Sequence, residues 1–265
     1  MKRIQFFEFH DLAWFPQSWR DLMTDLMGLF DAIFNPYKPV IPKIVEAAQK
    51  LNCRNIIDLC SGGSATLLRI QQSLESKGMA AVDIILTDKF PNLTAFQKAA
   101  AASRGKLKYL ETPVDAAELP AQLNGFRTMF TSFHHFRPDS ARKIIEDAVR
   151  KNDAVGIFEY TERSLVWIIA LLLSPLLLWM AVPFLKPFKW GRLLWLLIPL
   201  PALCGVWDGM VSCLRTYSPP ELKELVSGIK AEDYCWEIGR VRSFGGCFIT
   251  YLLGYPARKD EGAGS

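Results

Sequence analysis

The stretch of this sequence best suited to holding a ligand is Asp58-Leu59-Cys60-Ser61-Gly62-Gly63-Ser64. It follows a short apolar run, Asn55–Leu59, and precedes a helical pattern from Ala65 to about Lys77. A turn of small residues there lets the main chain approach a ligand closely. The first N–H groups of the following helix then face an anionic group such as a carboxylate. Asp58 suits a cationic or hydrogen-donating partner. A purely structural strand-to-helix turn has the same composition, so the segment alone leaves both readings open.

Two further carboxylates fall where a nucleoside site needs them. Asp88 follows the apolar run Ile84–Thr87, where an acidic side chain can accept both hydroxyls of a ribose. Asp115, in Val114-Asp115-Ala116, lies in the loop after a third run, within reach of an exocyclic amine of a base. Each alone fits a turn or a helix cap; together, in order and at strand ends, they point to a nucleoside. Of the three histidines, His134 and His135 lie just past a fourth apolar run. They are candidates to take a proton from an acceptor or to orient it, the plainer reading being that one packs or caps the next helix. Glu159 and Tyr160, ending a fifth run, are candidates for contact with a substrate, although Glu159 also fits an ordinary strand end.

These positions require a particular set of elements. The pattern predicts a helix over Lys43–Leu51 and strands over Asn55–Leu59, Val82–Thr87, Leu107–Glu111, Thr128–Phe133 and Ala154–Glu159. Helices over Asn92–Ser103 and Asp139–Arg150 fall between them, and Gly78 is placed to end the helix that starts at Ala65. Such alternation makes the fold class α/β, with a Rossmann-like, doubly wound and mostly parallel sheet. Ser218-Pro219-Pro220-Glu221 opens a later helix with a capping box. Tyr234–Val241 and Cys247–Leu253, separated by Gly245-Gly246, read as an antiparallel pair. Residues 1–42 read as two short amphipathic helices forming a lid, with His10, Trp14 and Tyr37 placed either to close over a ligand or, more simply, to pack. Tyr37 joins Glu159 and Tyr160 as a substrate candidate.

The motif set resembles class I S-adenosylmethionine (SAM)-dependent methyltransferases. The family's glycine turn matches Asp58–Ser64, with Cys60 and Ser64 in place of two usual glycines. The resemblance implies SAM as cofactor, held by Asp58, Cys60, Ser61, Gly62, Gly63 and Ser64. It assigns the ribose to Asp88 and the adenine to Asp115 and the Ala116 main chain, and it counts Ser132 among the cofactor-binding residues. It also implies a seven-stranded sheet with an antiparallel closing strand. Thr131–Phe136 looks like the corresponding segment of quinone and other small-molecule methyltransferases and lacks the tetrapeptide of enzymes that methylate nucleic-acid or glutamine amides. The match covers roughly residues 40–160 and 216–256. A nicotinamide-dependent oxidoreductase is the rival, but no G-x-G-x-x-G is present. A non-catalytic membrane-bound scaffold that binds SAM is another, supported by the replaced glycines.

Composition constrains the setting. Of 265 residues, 50% are hydrophobic, the mean hydropathy is +0.12, and the net charge of +4 is too small to suggest nucleic-acid binding. Six scattered cysteines without a CxxC pair suggest neither a disulfide framework nor a zinc site, and three histidines argue against a His-rich metal centre. No export signal is read at the start. The apolar excess lies in Leu165–Leu185 and Leu193–Trp207, separated by Lys186, Lys189 and Arg192. Runs of that kind predict a membrane-associated insertion over residues 161–215, monotopic with bends at Pro175, Pro183, Pro199 and Pro201, or two-pass. The methyltransferase core would then comprise 43–160 and 216–256 on the cytoplasmic face, with a flexible tail over 257–265. Partners expected are a hydrophobic small-molecule substrate such as a lipid or quinone, and membrane lipid.

Overall fold

A computed structural model describes residues 2–62, 65–181, 190, 200–231 and 233–257. Its centre is a seven-stranded sheet built from β1 (Asn55–Asp58), β2 (Asp83–Leu86), β3 (Leu107–Tyr109), β4 (Phe126–Phe130), β5 (Ala154–Glu159), β6 (Tyr234–Arg242) and β7 (Phe248–Pro256). The order is β3-β2-β1-β4-β5-β7-β6. The first five strands pair in parallel, and β7 runs antiparallel to both β5 and β6.

Strand periodicity divides the core. Successive side chains point to opposite faces, so Ile56 and Phe158 join one apolar cluster while Ile57 and Ile157 join the other. The first cluster takes in α2 (Ile41–Lys50), α3 (Ala65–Ser76) and α4 (Leu93–Ala102); the second takes in α5 (Pro138–Arg150) and α8 (Pro219–Ser227). All six residues of β5 are buried, as a strand covered on both faces requires. In register, Asp58 ends β1 opposite Leu86 and Thr128, which sets its carboxylate at the carboxyl edge of the sheet.

Local signals were realised closely. Asn92 caps α4 through its side chain, and the capping box of Ser218 and Glu221 opens α8. Gly78, at φ 78°, ends α3 with the two bonds of a Schellman motif, Gly78 N–H to Glu75 O and Met79 N–H to Leu74 O. Two expectations need correction. Residues 1–42 do not hold two short helices: a single turn at Phe9–Asp11 precedes an 18-residue helix, α1 (Gln17–Phe34). The fourth strand, expected over Thr128–Phe133, runs Phe126–Phe130: the charged Arg127 ahead of the apolar run is fully buried within it, and Phe133–His135 forms a helical turn instead. The Arg127 guanidinium bonds Asp147 at 2.8 Å and Asp153 at 2.7 and 3.0 Å, and Asp153 also accepts from Gly125 N–H.

The apolar block forms α6 (Leu165–Ala181) and α7 (Leu200–Arg215), which pack on each other. Among the described residues no helix is long and apolar enough to cross a membrane. Lys186, Lys189, Arg192, Pro183 and Pro199 lie outside the described residues, as does the tail from residue 258.

Candidate functional site

Three carboxylates surround the turn that leaves β1. Asp58 is 2% exposed; its Oδ1 accepts from Thr128 Oγ1 at 2.7 Å, and its main-chain oxygen accepts from Ser61 Oγ and Thr87 Oγ1. Burial, with the neighbouring Asp88 charge adding to it, pushes the Asp58 carboxyl up to about 7. Cys60 takes the left-handed conformation at φ 56°, a region in which a glycine is unstrained. Gly62, also left-handed at φ 44°, donates its N–H to Asp88 Oδ2 at 3.2 Å, and Phe90 N–H reaches the other oxygen at 2.8 Å. Asp115 accepts from Ala117 N–H at 2.9 Å and Lys89 Nζ at 3.0 Å, which together hold it below the usual carboxylate range. Burial raises the Cys60 thiol far above its ordinary value, and the charges of Asp88, Asp58 and Asp115 all add to that rise. Asp88, bonded by Gly62 of this turn, also accepts through its main-chain oxygen from Val114 N–H, which brings the Asp115 loop alongside. Ala116 is buried beside them; Gly63 and Ser64 lie outside the described residues.

A second cluster occupies the same edge past β4. His134, 1% exposed, bonds Glu159 Oε2 through Nδ1 at 2.8 Å, while Glu159 Oε1 accepts the N–H groups of Phe133 and His134. These donors draw the Glu159 carboxyl down despite its burial. Thr161 supports Glu159 and is itself bonded to Thr216. His135 stacks near His134 with centroids 4.4 Å apart, and its Nδ1 lies 2.9 Å from Asp11 and 3.4 Å from Glu8. Arg215 Nη1 reaches Glu8 at 3.1 Å and Asp11 at 2.8 Å. Among the described residues, Ser132 Oγ and His134 Nε2 are buried without a hydrogen-bond partner.

Glu159 thus lies inside the fold as the group that orients His134, and not at an exposed strand end. Tyr37 and Tyr160 are buried in the first core cluster; Tyr37 Oη meets Thr131 Oγ1 at 2.5 Å, and the rings pack at 5.5 Å. Trp14 is 70% exposed and lies edge-on to Phe9 and Phe15. Residues with no readable signal in the sequence complete both clusters. Thr128 and Lys89 are ordinary strand and turn residues by type, while Glu8, Asp11 and Arg215 reach the histidines from far along the chain.

No family model and no curated protein sequence matches the chain. Solved structures do share its architecture. An O-methyltransferase family protein from Burkholderia thailandensis superposes with a TM-score of 0.52 at 17% identity, over 91% of this chain and 60% of that one. The O-methyltransferase NcsB1 from neocarzinostatin biosynthesis, in complex with S-adenosylmethionine and 2-hydroxy-5-methyl naphthoic acid, gives 0.50 at 12% identity, over 88% and 56%. This chain therefore spans about three fifths of the length of those methyltransferases. A putative Zn-dependent alcohol dehydrogenase from Rhodobacter sphaeroides gives 0.52 at 14% identity, over 91% and 98%. At such identities the likeness is one of fold. The dinucleotide-binding order 3-2-1-4-5-6 is not the order here, because an antiparallel β7 lies between β5 and β6.

Proposed function

We propose that the chain binds SAM at the turn after β1 and transfers its methyl group to a hydrophobic small molecule. The observation that carries this reading is that Asp58 ends β1, Gly62 of the turn that follows bonds Asp88, and Asp88 O accepts from Val114 N–H beside Asp115, within a sheet of this order. Asp88 is bonded by two main-chain N–H groups and has lone pairs left for the ribose hydroxyls. Asp115 and the main chain at Ala116 meet the adenine, and Asp58 supplies negative charge for the cationic end of the cofactor. Cys60, Ser61, Gly62, Gly63, Ser64 and Ser132 complete that site.

Methyl transfer from a sulfonium is an in-line displacement, so positioning supplies most of what the protein contributes, about 7–11 kcal/mol of barrier. The remaining task is to take a proton from an oxygen or nitrogen acceptor. His134, with Glu159 fixing its tautomer, is the group we assign to it, and His135 orients the acceptor. His134 is enclosed beneath Glu8, so the acceptor would reach it when residues 2–16 lift. Tyr37 and Tyr160 shape the apolar wall beside it.

The hydrophobic setting rests on α6. Leu165, Val166, Ile169, Leu172 and Leu173 are all exposed and fall on one helical face, while Trp167 packs inward on Tyr160. A recess of about 310 Å³ lined by Phe7, Phe9, Leu200, Leu203, Cys204 and Trp207 adds further apolar surface at the start of α7. We assign this surface to the cytoplasmic leaflet of a membrane, from which the acceptor would come.

Isotope-labelled SAM incubated with the full chain and a membrane-lipid extract tests the proposal: label should move into an extractable apolar product. A SAM-binding scaffold is the second reading, favoured by the enclosure of His134 beneath Glu8. Binding of SAM without any labelled product would support it.

A further inference from the structure

The histidine cluster has more acceptor atoms than its present partners use. Glu8 and His134 are 2% and 1% exposed, and their facing atoms, Glu8 Oε1 and His134 Nε2, stand 3.9 Å apart with Nε2 unpartnered. His135 Nδ1 lies 3.4 Å from Glu8 Oε2, and one ligand atom from each of the three residues falls within 4.8 Å of the others. Nitrogen and oxygen ligands about 2.0–2.2 Å from a tetrahedral ion stand roughly 3.3 Å from each other. One ligand atom from each residue must draw in by up to about 1.5 Å to reach that geometry.

We propose that Glu8, His134 and His135 bind one divalent transition ion of the zinc type, which pins residues 2–16 to the turn after β4. Two imidazoles and a carboxylate favour such an ion over magnesium or calcium, which take oxygen ligands. The surroundings agree in two ways. Glu159 holds His134 Nδ1 at 2.8 Å, the outer-shell arrangement that turns Nε2 toward a metal and raises its basicity. Glu8 and Asp11 converge on His135 with a single guanidinium, that of Arg215, bridging them, so carboxylates crowd the cluster where an ion would sit. Asp11, 2.9 Å from His135 Nδ1, stands ready as a fourth ligand once the ion displaces that contact.

An ion on Nε2 occupies the atom assigned above to the acceptor proton, so the ion-loaded chain is the closed form and the ion-free chain is the one in which His134 takes that proton. The metal site does not depend on methyl transfer, because its readouts are metal content and the spectrum. The full chain is stripped with a chelator, loaded with cobalt(II), freed of excess ion by gel filtration and measured by elemental analysis and visible absorption. The expected result is about one cobalt per chain with the d–d bands of a low-coordinate site, bleached by added zinc. His135→Ala and Glu8→Gln should each reduce retained cobalt to below about a tenth and abolish the bands. If Glu8→Gln fails to fold, the half-buried His135 position decides. A wild-type chain that retains no cobalt overturns the inference. So do variants that keep the ion and the spectrum, since the ligands would then be other residues, such as the six free thiols.

Discussion

At the scale of single residues, Cys60 and Asp58 make opposite demands on the turn after β1. Cys60 holds a left-handed conformation that costs an L-residue about 1–2 kcal/mol. Replacing it with glycine is therefore expected to leave chemical-denaturation stability unchanged or raise it by about 1 kcal/mol, where a buried large-to-small change elsewhere would lower it. Asp58 carries the pH dependence. Its folded-state carboxyl sits near about 7, so below that value it is mostly neutral and attracts a cation poorly. SAM affinity should strengthen by up to about tenfold per pH unit as pH rises toward 7 and then level off. Asp58→Asn should remove the slope; a slope that survives the substitution would assign it to another group. Asp58, Asp88 and Asp115 were legible because strand ends are marked by hydrophobic runs and the acids follow them. Thr128 and Lys89 were not legible, since nothing in their types or local spacing says which loop they will face across the sheet.

At the scale of elements, β4 shows where pattern reading fails and why. Arg127 looks like a residue outside the strand, and only the fold brings it between Asp147 on α5 and Asp153 before β5. Arg127→Met leaves two buried carboxylates without their cation, and a loss of about 3–5 kcal/mol is expected by urea denaturation. A loss below about 1 kcal/mol would mean that Lys151 and Arg150, which also reach Asp147, carry the compensation. The helices of the alternating region were readable to within a residue or two because their caps are local. Residues 1–42 were not: the prolines at 36, 39 and 42 mark the end of α1 well enough, but Gln17–Phe34 lacks an internal break that would separate one helix from two. On α6, Ile169→Asp with Leu172→Asp is expected to lower cosedimentation with anionic lipid vesicles at least tenfold, since each exposed apolar side chain is worth about 1.5–3 kcal/mol when fully buried. Unchanged cosedimentation would remove α6 as the lipid-facing helix.

At the scale of the whole molecule, several acids are buried where they prefer to be protonated. Asp31, Asp58 and Asp208 are each pushed by burial to about 7 from an ordinary value of 3.8. Between those values the folded chain binds more protons than the unfolded one, so stability falls as pH rises. Asp115, Asp147 and Glu221 are shifted down and act in the opposite sense, losing their contribution as pH drops through their folded values. The Tm of the ligand-free chain should accordingly be higher near pH 5 than near pH 8, and cationic ligands that ionise Asp58 should narrow the gap. The sheet order was readable as a class from the alternation of runs. The enclosure of the histidines by Glu8, Asp11 and Arg215 was not, because it joins segments about two hundred residues apart.

The account stands most directly on equilibrium binding of SAM to the full chain, measured by titration calorimetry beside Asp88→Ala. One SAM per chain, weakened at least tenfold by the substitution through loss of about 1.4 kcal/mol or more, is the predicted result. No heat of binding in the wild-type chain, or equal affinity in the two proteins, would contradict it.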